Sequence, residues 1–528
     1  MAWMNGIAMP RRIPDIEQGH VPDSSKPSDC DIFFHLSHLV YIISYLPPLC
    51  KHFTELCNIS PESCIDSGRF FCYNDNTTKP KSTTRRRIMT QFQHRSPIAH
   101  ELYEAVRHLP IIDYHNHLDL HADSFSTLTG LWITPDPYKH RLMRIMGVPE
   151  SHITGGASDY DKFRAFCRIF PMLMGTPVYD WCRMELWQVF GIDTVPSDDT
   201  ADAIWQAAME RLPSVTPASV FRQFNVVYAS PVASMLSDVS FYGGMPDAAP
   251  SLRGDDAAAP DTAFAARLSE VSGITVASLD EYFAAMDARL DAFAAVGCRF
   301  ADHALDDGFC YLPDDGKNDA RFAAMLRGGN FDRNALTSHI LRTLGGMYAK
   351  RGMILQLHIG AMRHTSTRLR AIAGAAGGYA AIGDVSVRGI VSLLDDMEKV
   401  SLPRTILFPL NPAIMEQIAV LTGSFSADGV PAIVSEGPAW WWCDHRGGIQ
   451  KALESLTFYA ALSAFPGMTT DSRSLLSFVR HDYFRRILCG WMADKVDRGE
   501  FPRRMDDLTM IVKKLCYENA RDMIGGTK

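Results

Sequence analysis

The sequence predicts an α/β protein built as a (β/α)8, TIM-like barrel with a helical insertion after the first strand. Three observations predict it. From about residue 95 onward, short apolar runs alternate with helix-like periodic segments. Polar pairs with chemistry-bearing side chains stand at the ends of several of those runs. At 528 residues the chain is long enough for one large barrel with an insertion and tails. Strands alternating with helices call for a parallel sheet, and many such units favour a closed barrel over an open sheet.

Residues 1–88 are rich in Pro, Ser, Asp and Cys, lack sustained periodicity and finish in Thr84-Arg85-Arg86-Arg87, after which Met89 opens a stretch like an ordinary protein start. We read them as a poorly ordered N-terminal extension outside the chemistry, with the barrel at 89–528. The apolar stretch from Ile32 to Cys50 carries His35, His38 and Pro47-Pro48 and falls short of about 20 clean apolar residues, so no membrane span is expected. The first strand runs out of Leu109-Pro110-Ile111-Ile112, and a block without strand signals at about 139–225 is the expected helical insertion. Further strands are expected at Asn225–Tyr228, Gly297–Phe300, Gly352–Leu355, Thr405–Phe408 and Ala432–Val434. The Ala, Pro and Asp-rich stretch from Pro246 to Thr262 reads as a loop. Ser278–Val296 reads as an amphipathic helix with Ser278 as N-cap and Glu281 as its capping-box partner.

Composition narrows the function. With 52 basic against 60 acidic residues, a net charge of −8 and a pI near 6.1, nothing suggests a nucleic-acid surface. A small-molecule partner is the expectation. Five of the 12 cysteines (Cys30, Cys50, Cys57, Cys64, Cys72) crowd into the extension without CxxC spacing, and the rest are scattered singly. That usage fits a reducing compartment, and the expected location is cytoplasmic.

The strand ends hold the candidate chemistry. His115 and His117, in LPIIDYHNHL, are two residues apart, so in a strand both imidazoles face one side and can converge on one metal ion. Asp302 and His303 follow the run Gly297–Phe300; Gln356 and His358 end the run from Met353; Asp471 and Arg473 stand in MTTDSR. In a barrel the carboxyl ends of the strands surround one mouth, which gathers residues distant in sequence. Two imidazoles and a carboxylate make a divalent site with open positions, and an arginine two residues from the carboxylate can hold a substrate anion. Asp471 or Ser472 also fits a plain N-cap for the helix that follows.

From about residue 95 the chain resembles uronate isomerase (glucuronate isomerase), a (β/α)8 family of the amidohydrolase superfamily. The motifs are DYHNHL at 113–118, ITGGASDYDKFRAF at 153–166, GCRFADHALD at 297–306, QLHIGAMR at 356–363, GPAWWWCD at 437–444 and TDSRSLLSFVRHDYFRRIL at 470–488. The resemblance implies aldose–ketose isomerisation of hexuronates, D-glucuronate to D-fructuronate and D-galacturonate to D-tagaturonate, in a homo-oligomer. It implies one divalent metal, with Zn²⁺ the expected ion, on His115, His117 and Asp471. Arg473 would steady the enediolate, Tyr138 would act at the sugar, and Asp471 would double as the proton shuttle. His358 and Asp302 would line the mouth, with Arg363, Arg368 and Arg183 as candidates for the substrate carboxylate.

Three positions depart from the family pattern: Pro137 stands where a histidine precedes the tyrosine, Trp187 where a basic residue is usual, and YASPVAS near 228 where an acidic segment is expected. They leave the carboxylate anchor and the substrate preference open. Related barrels use such histidines to activate water, so a mononuclear hydrolase is one alternative; no lysine stands at a convincing central strand end, which argues against a binuclear one. An inactive binding barrel is the other, opposed by the intact set His115, His117, Asp471 and Arg473. The expected role of Trp440–Trp442 is core packing.

Overall fold

The computed structural model describes residues 96–525, apart from Asp123, Ala375 and Ala376. The expected extension at 1–88, with its apolar stretch, lies outside the described residues. Among those described, no helix is long and apolar enough to cross a membrane.

Seven parallel strands form a single sheet in sequence order. They are β1 (Ile111–Asn116), β2 (Val226–Ser234), β3 (Ser251–Arg253), β4 (Phe300–Leu305), β5 (Ile354–Ile359), β6 (Thr405–Pro409) and β7 (Val434–Glu436). All six residues of β1 and all six of β5 are buried, as strands covered on both faces must be. The segment 468–472 occupies the eighth stave on the free edge of β1. There the Asp471 amide donates to His115 O at 3.1 Å and the His117 amide to Ser472 O at 2.8 Å. The Thr469 hydroxyl accepts from the His115 amide at 2.9 Å, so a side chain replaces one rung of the ladder.

The expected strands are present, displaced toward their C-terminal polar ends because parallel hydrogen bonds carry each run past its apolar half. The expected loop at Pro246–Thr262 is different. It contains β3, whose three residues pair with Val232–Ser234 on one side and Phe300–Asp302 on the other. Three residues are too few to show a period, and neighbouring Pro and Asp mask them.

Helix α1 (Pro97–Val106) precedes β1. The helices between β1 and β2 run from Leu128 to Phe224, so the first of them lies ahead of the expected 139. Two of them frame the site. In α2 (Pro137–Ile145) Pro137 is the first residue and the Asp136 carboxylate caps the Tyr138 amide at 2.9 Å. In α3 (Pro177–Phe190) Thr176 caps the start and Gly191, at φ 68°, ends it. Helix α4 (Leu279–Ala295) begins at the Ser278 cap, which accepts from the Glu281 amide at 3.2 Å. Glu281 answers one residue earlier than a strict capping box, taking the Ala277 amide at 2.8 Å. Helix α5 (Val479–Asp497) is buried nearly all round, Arg480, His481 and Arg485 included.

Candidate metal centre and substrate pocket

Asp113, His115 and the turn after β1 set the position of everything else. Asp113 is fully buried, yet its carboxylate accepts the Thr470 amide at 2.6 Å, the Thr469 hydroxyl at 2.8 Å and the Thr470 hydroxyl at 2.7 Å. Asn116 adds a bond at 2.9 Å and His481 faces it at 3.4 Å. A buried carboxylate is tolerable only when its lone pairs are satisfied, and here satisfaction fastens the eighth stave to β1.

Fastened in this way, Asp471 meets the histidine pair. Its Oδ1 lies 3.3 Å from His115 Nε2 and 3.2 Å from His117 Nε2. Its backbone has φ 45°, a left-handed conformation that a non-glycine residue holds only where surrounding bonds dictate it. Asp471 Oδ2 and His115 Nδ1 are buried without hydrogen-bond partners. Two imidazole nitrogens and a carboxylate oxygen around one point, with an uncommitted oxygen beside them, suit a divalent cation, so these residues could hold a metal.

Burial opposes ionisation of Asp471, but hydrogen bonds from the two histidines prevail and hold its carboxyl well below the usual range. Burial drives the His117 imidazole down to about 4 and that of His358 well below its ordinary value. His117 is therefore neutral at pH 7, the form a metal requires, whereas at His115 burial is outweighed by the bond to the Asp471 carboxylate and the nearby acidic charge, which raise it.

His358, at the end of β5, stacks on Phe408 with ring centres 4.6 Å apart and lies 4.4 Å from the His115 ring. Neither of its ring nitrogens has a partner. Asp302 is fully buried beside it, and burial raises its carboxyl above the usual range. Arg253 Nη1 stands 3.0 Å from Asp302 Oδ2, and Arg253 Nε 2.7 Å from Asp255. Sequence reasoning missed Arg253 because β3 was hidden in an expected loop.

A cavity of about 100 Å³ opens between Tyr138, Arg363, Arg473, Trp441 and Trp442, with Pro137 and Gly378 in its wall. Tyr138, on the first turn of α2, is buried with an unpartnered hydroxyl, and burial raises that hydroxyl well above its ordinary value. Arg363 pairs with Asp306 at 2.8 Å, its guanidinium 5.1 Å over the Trp441 ring. The tryptophans divide their labour. Trp440 is core, donating to Phe408 O at 2.9 Å, whereas Trp441 and Trp442 face the cavity.

Two arginines weighed for the carboxylate lie elsewhere. Arg183, on α3, has its guanidinium 3.7 Å from Asp193 and does not line the cavity. Arg368 is exposed on the short helix Thr367–Ala373.

Comparisons with known proteins identify the family. A family model described as glucuronate isomerase matches residues 85–524. The uronate isomerase of Vibrio parahaemolyticus is 37% identical over 448 residues, 80% of this chain and 95% of that protein. That of Clostridium perfringens is 34% identical over 434 residues, 78% of this chain and 93% of that protein. The crystal structure of uronate isomerase from Thermotoga maritima superposes with a TM-score of 0.76 at 27% identity, covering 81% of this chain and 97% of that one. The chain belongs to the glucuronate isomerase family.

Proposed function

We propose that this family member interconverts D-glucuronate with D-fructuronate and D-galacturonate with D-tagaturonate, moving a proton between C2 and C1 through an enediol. Family membership carries the reaction class, aldose–ketose isomerisation of a uronate. The observation that carries the site is the placement of one carboxylate oxygen, Asp471 Oδ1, 3.2 and 3.3 Å from the two imidazole nitrogens.

In this reading His115, His117 and Asp471 hold one divalent ion, Zn²⁺. Such an ion, when bound, supplies fixed positive charge toward the substrate oxygens. The remaining work falls to side chains. Asp471 Oδ2, buried and uncommitted, is the oxygen that carries the proton between the two carbons. Arg473, across the cavity from Arg363, offers its fork to the negative charge that grows on the enediol oxygens. Tyr138 directs its hydroxyl at the sugar, while His358 and Asp302 line the mouth. For the substrate carboxylate we propose Arg363 rather than Arg183, since Arg363 lines the cavity and Arg183 does not.

We also place the enzyme in the cytoplasm as a homo-oligomer. The seven cysteines among the described residues, Cys167 to Cys516, are all free, which supports a reducing compartment.

A coupled assay of glucuronate and galacturonate turnover on metal-depleted and zinc-restored protein tests reaction, substrate and ion together. The expected result is ketouronate formation that vanishes on depletion and returns with zinc. Absence of conversion alongside lactone or amide cleavage would favour the hydrolase.

A further inference from the structure

Arg480 is the least expected charge in the molecule. It sits at the start of α5 with no exposed surface, and its Nε and Nη2 have no hydrogen-bond partners. Its guanidinium carbon lies 3.8 Å from the centre of the Trp181 ring and 5.0 Å from that of Tyr138. Asp444, itself buried, stands 3.6 Å from Nη1. The same Nη1 donates to Thr470 O at 3.2 Å.

That last bond reaches the strained residue. The peptide between Thr470 and Asp471 is held at both edges, its oxygen by Arg480 and its N–H by His115 O at 3.1 Å. Clamping that peptide plane at both edges holds one side of the Asp471 N–Cα bond, while the His117 amide on Ser472 O at 2.8 Å holds the chain beyond it; between them lies the φ of 45° at the residue whose carboxylate meets the histidines. One guanidinium therefore touches both the backbone that sets the carboxylate and the ring of Tyr138.

We propose that Arg480, with Asp444 as its counter-ion, is a positioning residue that sets the Asp471 carboxylate and the Tyr138 ring in register across the pocket. This rests on the proposed reading of Asp471 as metal ligand and proton carrier. A planar guanidinium suits the task because it can stack on Trp181 while its edge bonds the carbonyl; a lysine supplies charge without the fork.

The test uses zinc-loaded enzyme, with chelator competition for zinc affinity and steady-state kinetics on glucuronate. Arg480→Lys and Asp444→Asn are each expected to weaken zinc and lower kcat by ~10–100-fold, with KM changed by less than about threefold. If Arg480→Lys fails to fold by circular dichroism, Asp444→Asn decides, because it leaves the guanidinium in place. Asp471→Asn separates the two readings. Zinc held normally by Asp471→Asn would overturn the site and this inference together. Zinc lost by Asp471→Asn but held at wild-type affinity, with unchanged kcat, by the folded Arg480 or Asp444 variants would overturn this inference alone.

Discussion

The Asp113 carboxylate and the Thr470 amide, 357 residues apart in the chain, are joined at 2.6 Å. This bond sews the first stave of the barrel to the last, one residue before Asp471. Asp113→Ala would strand the Thr470 amide and hydroxyl in a dry interior at ~1–3 kcal/mol each and release the Asp471 carboxylate from the histidines, whereas the Thr469 hydroxyl keeps His115 O at 2.7 Å. We expect a lower urea midpoint together with loss of bound zinc. An unchanged midpoint would remove Asp113 from this role.

Tyr138 illustrates a different balance. Its buried hydroxyl has no partner, and a buried polar group without one is a cost to folding. Tyr138→Phe keeps the edge contacts with Trp181 and Trp442, at 5.5 and 5.6 Å between ring centres. The expected variant is as stable as the parent or more so by about 1 kcal/mol, while kcat falls roughly 10²-fold. Thermal melts and initial rates on one preparation check both halves. A fall in stability would mean that the hydroxyl has a structural partner.

What was legible in the sequence follows from local geometry. Asp471 with Arg473 could be seen only as a polar pair, since Asp471 is left-handed at φ 45° and no strand carries the two. His115 with His117 could be seen because a two-residue spacing in extended chain has a direct spatial meaning. The Ser278 cap of α4 was legible for the same reason, its partners being three residues away. Arg253 was not, since three strand residues between Pro246 and Thr262 carry no period and only Asp302, on the neighbouring strand, gives Arg253 its place. Nor was Arg480. An arginine in a helix reads as solvated surface, and only the convergence of Trp181, Tyr138 and Asp444 from three other segments takes it inside. Asp113 looked like the polar start of a motif. Apart from the local bond from Asn116, its bonds are made after the chain has returned to it.

Gly378 provides a test of the pocket wall that touches none of the catalytic candidates. It has φ 77°, and a Cβ there would lie 2.2 Å from Pro137 O, on the residue that opens α2 just before Tyr138. Gly378→Ala therefore forces both a strained backbone, at ~1–3 kcal/mol, and a shift of the helix start. We expect a higher KM and a lower kcat with zinc content unchanged. Wild-type kinetics in this variant would show that Tyr138 does not depend on this contact.

His303 and His140 give the stability of the barrel its acid limb. Burial holds each imidazole down to about 4, and His303 is wedged against Gly254, its ring nitrogen bonded to the Tyr348 hydroxyl at 2.8 Å. A free histidine titrates near 6.5, so between that pH and about 4 the unfolded chain takes up protons that the folded chain refuses. Stability from these groups is therefore full above about pH 6.5 and is lost as pH falls toward 4, by up to ~3 kcal/mol for each imidazole. Urea unfolding from pH 7.5 to 4.5 should trace that decline, and His303→Gln, which cannot gain the charge, should flatten part of it while lowering stability at pH 7.5. A variant as acid-sensitive as the parent would mean that other groups carry the limb.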